Sequence, residues 1–276
     1  MQKINIMNHD MYYNDSEDPV ISSLKNNTLF GYGNYSLIKH YSKNDTGWII
    51  DCGAHIGTFS FVPAIKKEKI LLIEAAEENY DCLVNTFKPF DNTILENTII
   101  LDDVQKCDFK EKSGPFGSAS INANGQKESN TIDNLCSKHN IDDVSMIKYD
   151  IEGYEEEALL GSLHTLNKSK PVILLEINGH CLRLRNKKPK DTFEVLDNCG
   201  YLYFVPIQSG LVAIDKNKNF PFCVIDIIGI HKDLLYKYVG SVNIHSKMDD
   251  NVISQLIYQN KNNSNQDCID YFNTLS

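Results

Sequence analysis

Short apolar runs rich in branched residues alternate along the chain with stretches whose apolar positions recur every three or four residues, and most of the runs end on an acid. That alternation predicts parallel strands joined by helices. Trp48 to Phe61 (WIIDCGAHIGTFSF) is the plainest case: a run closing on Asp51, a turn through Gly53 and Gly57, then helical spacing. Lys69 to Ile73 (KILLI) predicts a second strand closing on Glu74. Glu77 to Lys88 follows as a helix, with Tyr80, Leu83, Val84 and Phe87 at helical spacing and Pro89 as its stop. Thr93 to Leu101, containing the run TIIL, predicts a third strand that closes on Asp102 and Asp103. The polar stretch Lys110 to Asn130 reads as either a hairpin excursion or a loop, and Thr131 opens a short helical segment carrying Asp133.

Ser145 to Tyr149 (SMIKY) predicts a strand ending on Asp150, and the helix after it begins near Gly153. That helix carries Glu155, Glu156 and Glu157 in its first turn, where its dipole favours them, and aligns Leu159, Leu163 and Leu166 on one face. Pro171 to Ile177 (PVILLEI) is the most apolar strand. Phe193 to Cys199 reads as a helix closed by Gly200, and Tyr201 to Val205 and Val224 to Ile230 as further strands. The whole predicts an α/β fold with a doubly wound, mainly parallel sheet covered by helices on both faces. Ligands of such sheets lie beyond the carboxyl ends of the strands, where Asp51, Glu74, Asp102, Asp150 and Glu176 are expected.

The turn at 51–57 restricts what that ligand is. Gly53 and Gly57 let backbone approach a ligand without a Cβ, and the first N–H groups of the following helix are unpaired. A dinucleotide turn is G-x-G-x-x-G and receives a pyrophosphate, whereas this one is D-x-G-x-x-x-G and opens with a carboxylate that would repel it. S-adenosylmethionine carries a sulfonium and an ammonium and no phosphate, which suits Asp51. Glu74 stands about twenty residues beyond the turn, the separation at which an acid in a βαβ unit accepts ribose hydroxyls. Two glycines after a strand also occur at plain packing corners; the second acid is what favours an adenosine-sized site.

Composition changes the picture at the margins. With 276 residues, 42% of them hydrophobic, the chain can bury one large core, so a single domain over 46–235 is expected, with an N-terminal arm or lid (1–45) and a C-terminal appendage (236–276). A formal charge of −10 argues against a protein that grips nucleic acid, although Arg183, Arg185, Lys187, Lys188 and Lys190 cluster in one expected loop. Eight scattered cysteines without a C-x-x-C pair suggest reduced thiols rather than a zinc site or a disulfide framework. No signal layout and no apolar stretch of about 18 residues is present, so a cytoplasmic protein without membrane association is expected.

Four blocks carry a likeness to a known family: IIDCGAHIGTFS (49–60), LLIEA (71–75), TIDNL (131–135) with MIKYDIEGYEEEALLGS (146–162), and PVILLEI (171–177). In their order and spacing the chain resembles the FkbM-type methyltransferases, a branch of the class I S-adenosylmethionine-dependent enzymes; the block around IKYDIEGYE is the specific one. The resemblance spans residues 48–206. It implies a seven-stranded, mostly parallel, Rossmann-like sheet with one antiparallel strand near an edge. It also implies that Asp51, Gly53 and Gly57 hold the methionine part of the cofactor and Glu74 the ribose. Where the family usually has Asn this chain has His55, and where it has Pro after the acid this chain has Ala75. The expected cofactor set is Asp51, Gly53, Ala54, His55, Gly57, Glu74 and Asp102.

Methyl transfer from a sulfonium is an in-line displacement with a good leaving group, so the protein must chiefly position the acceptor, and a hydroxyl acceptor also gains from a base. Asp150, Glu152 and His180 are the candidates for that role. Each has a structural alternative: Asp150 as a helix cap, Glu152 as a first-turn acid and His180 as a surface residue. Glu176 is divided between a structural hydrogen bond and substrate contact, and Asp133 between a helix-start acid and a tie near the site. Asp150, Glu152 and Glu176 are too few carboxylates to predict a metal. The expected activity is O-methylation of a hydroxyl on a small molecule or glycan. The alternatives are a nucleic-acid methyltransferase, which the acidity and the lack of an N-P-P-Y-like run oppose, and a non-catalytic cofactor-fold binding protein. Sequence does not set the oligomeric state.

Overall fold

A computed structural model describes residues 1–14, 18–26, 28–42, 46–110, 118–121, 125–207, 210–214, 224–235 and 244–245. The chain opens with an antiparallel hairpin, β1 (Gln2–Ile6) and β2 (His9–Tyr13), followed by helices α1 (Pro19–Lys25) and α2 (Tyr32–His40). Then come β3 (Trp48–Cys52), α3 (Thr58–Ile65), β4 (Ile70–Ile73), α4 (Glu77–Phe87) and β5 (Thr93–Glu96). A small side sheet is built from β6 (Ile99–Ile100), β7 (Lys106–Lys110), β8 (Ser118–Ile121) and β9 (Lys127–Asn130), in the order β6-β9-β7-β8. The chain continues through α5 (Ile132–Lys138), β10 (Val144–Tyr149), α6 (Glu155–Leu160), α7 (Leu163–Ser169), β11 (Val172–Asn178), α8 (Gly179–Leu184) and α9 (Pro189–Asn198). It closes with β12 (Tyr201–Ile207), β13 (Gly210–Ala213), β14 (Val224–His231), α10 (Lys232–Leu235) and β15 (Ile244–His245).

The main sheet has the order β15-β13-β12-β14-β11-β10-β3-β4-β5. Strands β11, β10, β3, β4 and β5 pair in parallel, while β14 runs antiparallel between β11 and β12. Seven of these strands form the expected sheet with its one reversed strand; β13 and β15 extend it at the β12 edge. Side chains alternate across the sheet. Ile50, Ile147, Ile173 and Ile227 enter one apolar layer with Leu159, Leu166 and Phe193. Ile49, Met146, Leu174 and Ile228 enter the other, where Ile21, Leu24, Tyr35 and Ile38 from α1 and α2 pack with Phe59 and Phe61. The described part of residues 1–45 is thus bedded into the second core layer. The expected appendage at 236–276 lies, apart from Ile244–His245, outside the described residues.

Three local expectations are corrected. The third strand of the main sheet is Thr93–Glu96; the TIIL run leaves it, and Ile99–Ile100 pairs with β9 in the side sheet. The helix after Asp150 is broken at Gly161–Ser162, leaving Leu159 and Leu166 buried and Leu163 exposed. A Cβ on Gly161 would overlap the Leu101 carbonyl, and the Gly161 carbonyl accepts from the Asp133 N–H, so tertiary contact fixes the break. The expected loop that carries Arg183 to Lys190 begins inside a helix instead: Gly179–Leu184 form α8, whose start is capped by Asn178 accepting from the Cys181 N–H at 3.2 Å.

Candidate active site

Asp51 ends β3 fully buried, accepts from Ser60 Oγ at 2.7 Å, and lies 3.2 Å from Lys148 Nζ. Gly53 and His55 follow in the left-handed region, at φ 76° and 53°. The glycines serve packing more directly than expected: a Cβ on Gly53 would overlap the Asp150 carbonyl, and one on Gly57 the Phe87 ring. The turn is therefore pressed against the loop that follows β10. Ala54 is buried within it, its N–H donating to the Ile73 carbonyl at 3.0 Å.

Glu74 closes β4 and ties the two loops together. Its Oε2 accepts from the His55 N–H at 2.8 Å and its Oε1 from the Ala76 N–H at 2.7 Å. Burial raises its pKa, and these two N–H bonds oppose the rise. The Glu74 carbonyl accepts from Asn97 Nδ2 at 3.1 Å, and Asn97 Oδ1 accepts from Lys127 Nζ at 2.7 Å. Asn97 and Lys127 border a groove of about 600 Å³ between the end of β5 and the side sheet, lined also by Glu96, Thr98, Phe109 and Glu128. His55 faces the N-terminal region, with Nε2 3.6 Å from Asp18, while its buried Nδ1 has no hydrogen-bond partner among the described residues.

A row of acids continues from Asp51 across the sheet edge. Register places Lys148 beside Asp51 and Glu176 opposite Asp226. Alternation puts these four on the face that carries Ile49, Met146, Leu174 and Ile228. Lys148 Nζ touches Asp150 at 3.0 Å and donates to the Gly53 carbonyl at 3.1 Å. Burial disfavours its charge, but Asp150 and Asp51 outweigh burial and hold its pKa above the ordinary lysine value. Glu152, in the left-handed region at φ 57°, accepts from Asn178 Nδ2 at 2.9 Å and from the Cys181 thiol at 3.3 Å. Burial, aided by the charge of Asp150, pushes its pKa up to about 7. The same two causes, with Asp226 and Glu152 adding to them, raise Glu176 well above the usual carboxylate range. Asp226, pushed up to about 6 by burial and then Asp150, accepts from Asn34 Nδ2 of α2 at 2.8 Å. One oxygen each from Asp150, Glu152 and Glu176 lies within 4.8 Å of the others.

Glu155 underlies this loop. Fully buried, it accepts through Oε1 from the N–H groups of Gly153 (3.1 Å) and Ile151 (3.3 Å), and burial pushes its pKa up to about 8. Because Glu155 and Glu152 titrate from 4.5 when free, the folded protein keeps protons that the unfolded chain has released. Their contribution is fully present below pH 4.5 and is lost as pH rises through about 7 and 8. Thermal unfolding measured from about pH 5 to about pH 8.5 is expected to show a loss on the order of 5 kcal/mol, and Glu155→Gln to remove the larger share of it. An unchanged slope in that variant would remove Glu155 as its source.

Other expected site residues stand apart. Asp102 is exposed after β6 in the side sheet, because the third strand of the main sheet ends at Glu96. His180 is exposed on the first turn of α8, with no described contact to Asp150 or Glu152. Asp133 caps α7, accepting from the N–H groups of His164 at 2.8 Å and Thr165 at 2.9 Å. In the basic segment Arg185 pairs with Glu157 at 2.6 Å and stacks on Tyr154, and Lys187 pairs with Glu156 at 2.7 Å. Lys148, Asp226 and Asn34 escaped the sequence reading. A lysine inside SMIKY and an aspartate inside VIDIIGI were visible signals, since charges in apolar strands require partners; Asn34 left none.

A reversed strand β14 beside the parallel strands β11 to β5, acids where β3 and β4 end and a glycine turn after β3 are the layout of the class I S-adenosylmethionine-dependent methyltransferases, and the family match below assigns the chain to that class. The methyltransferase FkbM domain model matches residues 51–203, more than half of the chain, and the protein belongs to that family. Among solved structures, the FkbM methyltransferase from Methylobacillus flagellatus KT is 18% identical, with 67% of this chain covered, 44% of that one and a TM-score of 0.44. The precorrin-6y C5,15-methyltransferase from Geobacter metallireducens GS-15 is 15% identical, with 71% and 87% covered and a TM-score of 0.40. The TehB-like methyltransferase from Corynebacterium glutamicum is 13% identical, with 75% and 92% covered and a TM-score of 0.43. No curated protein matches the chain. Among the described residues no helix is long and apolar enough to cross a membrane.

Proposed function

We propose that the enzyme methylates a hydroxyl oxygen on a small molecule or glycan. The observation that carries this is the carboxylate row at the ends of β10 and β11, starting beside the glycine turn, with Glu152 raised to about 7. A base poised near the working pH is what a hydroxyl acceptor needs, since its proton must leave as the new C–O bond forms. S-adenosylmethionine, the cofactor of this class, supplies an electrophilic methyl on a sulfonium.

The chain's own residues suit that cofactor. Each Glu74 oxygen accepts one N–H and keeps a second acceptor site, which fits the vicinal hydroxyls of a ribose. The groove reached from Glu74 through Asn97, with Phe109 in its wall, would take the adenine. The buried Asp51, with Gly53, Ala54, His55 and Gly57, would hold the methionine end. On the acceptor side Asp150 would orient the hydroxyl and Glu152 accept its proton. The pairing of Arg185 and Lys187 with glutamates supports a neutral acceptor over an anionic one and over nucleic acid. In this reading residues 46–235 form the methyltransferase unit, covered by 1–45 and followed by an appendage.

The test is incubation with labelled S-adenosylmethionine and a panel of polyols, sugars, amines and nucleic acid, with products identified by mass spectrometry. O-methyl products support the reading; methylation confined to nitrogen or to nucleic acid refutes it. With an acceptor in hand, kcat/KM is expected to rise with pH along a limb near 7, the value of Glu152. Asp150→Asn should move that limb lower, because it removes a like charge that raises Glu152. A limb that stays in place would take the base role from Glu152.

A further inference from the structure

Lys148 sits where the two halves of the proposed site meet. Its ammonium reaches three acceptors contributed by different segments: the Gly53 carbonyl in the glycine turn, Asp51 at the end of β3, and Asp150 after β10. The side chain is buried and lies over the Phe59 ring at 5.8 Å. Among the described residues it is the one Lys or Arg cation that acts on the whole set of carboxyls here, namely Asp51, Glu74, Asp150, Glu152, Glu176 and Asp226. His55 lies near Glu74, while Arg185 is engaged by Glu157 and the Gly153 carbonyl and Lys127 by Asn97.

Resting on the cofactor reading above, we propose that Lys148 is the positioning residue of this enzyme, setting the cofactor turn against the acceptor-side carboxylate and supplying the charge that lets Asp51 and Asp150 stand side by side. Two carboxylates facing one buried ammonium are stable together; without it they repel, and one must take up a proton or the loops must separate. The Gly53 carbonyl contact carries the same constraint into the backbone of the turn. A lysine that only filled space would leave neither charge nor backbone dependent on it.

Titration calorimetry with S-adenosylhomocysteine, alongside thermal unfolding, tests this on the intact protein, Lys148→Met, Asp150→Asn and the double variant. Lys148→Met is expected to weaken binding roughly tenfold or more near pH 8 and to recover as pH falls to about 6, because a proton then replaces the missing charge. In the double variant, which removes one of the two repelling carboxylates, most of that loss should disappear. Lys148→Met binding as tightly as the parent, or binding weakly with no pH dependence and no relief from Asp150→Asn, would overturn the proposal. If Lys148→Met does not fold, the double variant is compared with Asp150→Asn: near-equal affinity is expected, and a tenfold gap overturns it. Failure of the unmodified protein to bind S-adenosylhomocysteine would refute the cofactor reading itself, a result distinguishable from all of these.

Discussion

Gly53→Ala is expected to lower affinity for S-adenosylhomocysteine by more than about a hundredfold and to reduce thermal stability. Two costs combine. At φ 76° an alanine sits in the left-handed region, which disfavours an L side chain by roughly 1–2 kcal/mol. The new Cβ also overlaps the Asp150 carbonyl, a backbone atom that no rotamer change can remove. The Asp150 loop must then move away from the turn, taking with it the contact between Lys148 and the Gly53 carbonyl. Gly57→Ala meets side chains of Phe87 and Leu83 instead, which can adjust, so its effect should be smaller. Calorimetry and melting curves on both variants check this; a Gly53→Ala protein with unchanged affinity would show that the close approach of turn and loop does not matter for the cofactor.

Glu74→Gln should lose affinity on the order of a hundredfold with a smaller loss of stability. Both carboxylate oxygens accept backbone N–H groups, from His55 and Ala76, and such bonds to a charged acceptor contribute about 1.5–3 kcal/mol each. A glutamine keeps one acceptor and turns an NH₂ toward the other N–H, donor against donor. The His55 turn and the Ala76 helix start are then no longer held by one group, and a ribose loses an acceptor as well. The measurement is S-adenosylhomocysteine affinity set beside adenosine affinity. If both fall together, the loss is at the ribose; if neither falls, Glu74 is only a loop tie and another residue holds the sugar.

Much of the fold could be read locally. Ile49–Ile50, Leu71–Leu72 and Leu174–Leu175 point alternately into two apolar layers, so these strands had to be buried on both faces, and helical covers on both sides followed. The errors came where distant contacts override local pattern. The spacing of Leu159, Leu163 and Leu166 describes one helix, but Gly161 packs on Leu101 and Asp133 caps a new start, so two helices form. Ile99 and Ile100 have the composition of a main-sheet strand, yet they pair with β9, which pattern alone does not reveal. The arm at the N-terminus had no sequence mark of burial, although Ile21, Leu24 and Ile38 complete a core layer.

The sequence by itself determined the strand-turn-helix at Asp51 to Phe61, the acids at the strand ends and the family to which the chain belongs, because backbone periodicity, glycine conformation and motif spacing are local properties of neighbouring residues. Only the tertiary structure decided which acids share a site. Asp51, Lys148, Glu176 and Asp226 come from four strands far apart in the chain, and it is strand order and register that align them. The raised pKa values of Glu152 and Glu155 likewise arise from burial, and burial exists only after the layers have packed.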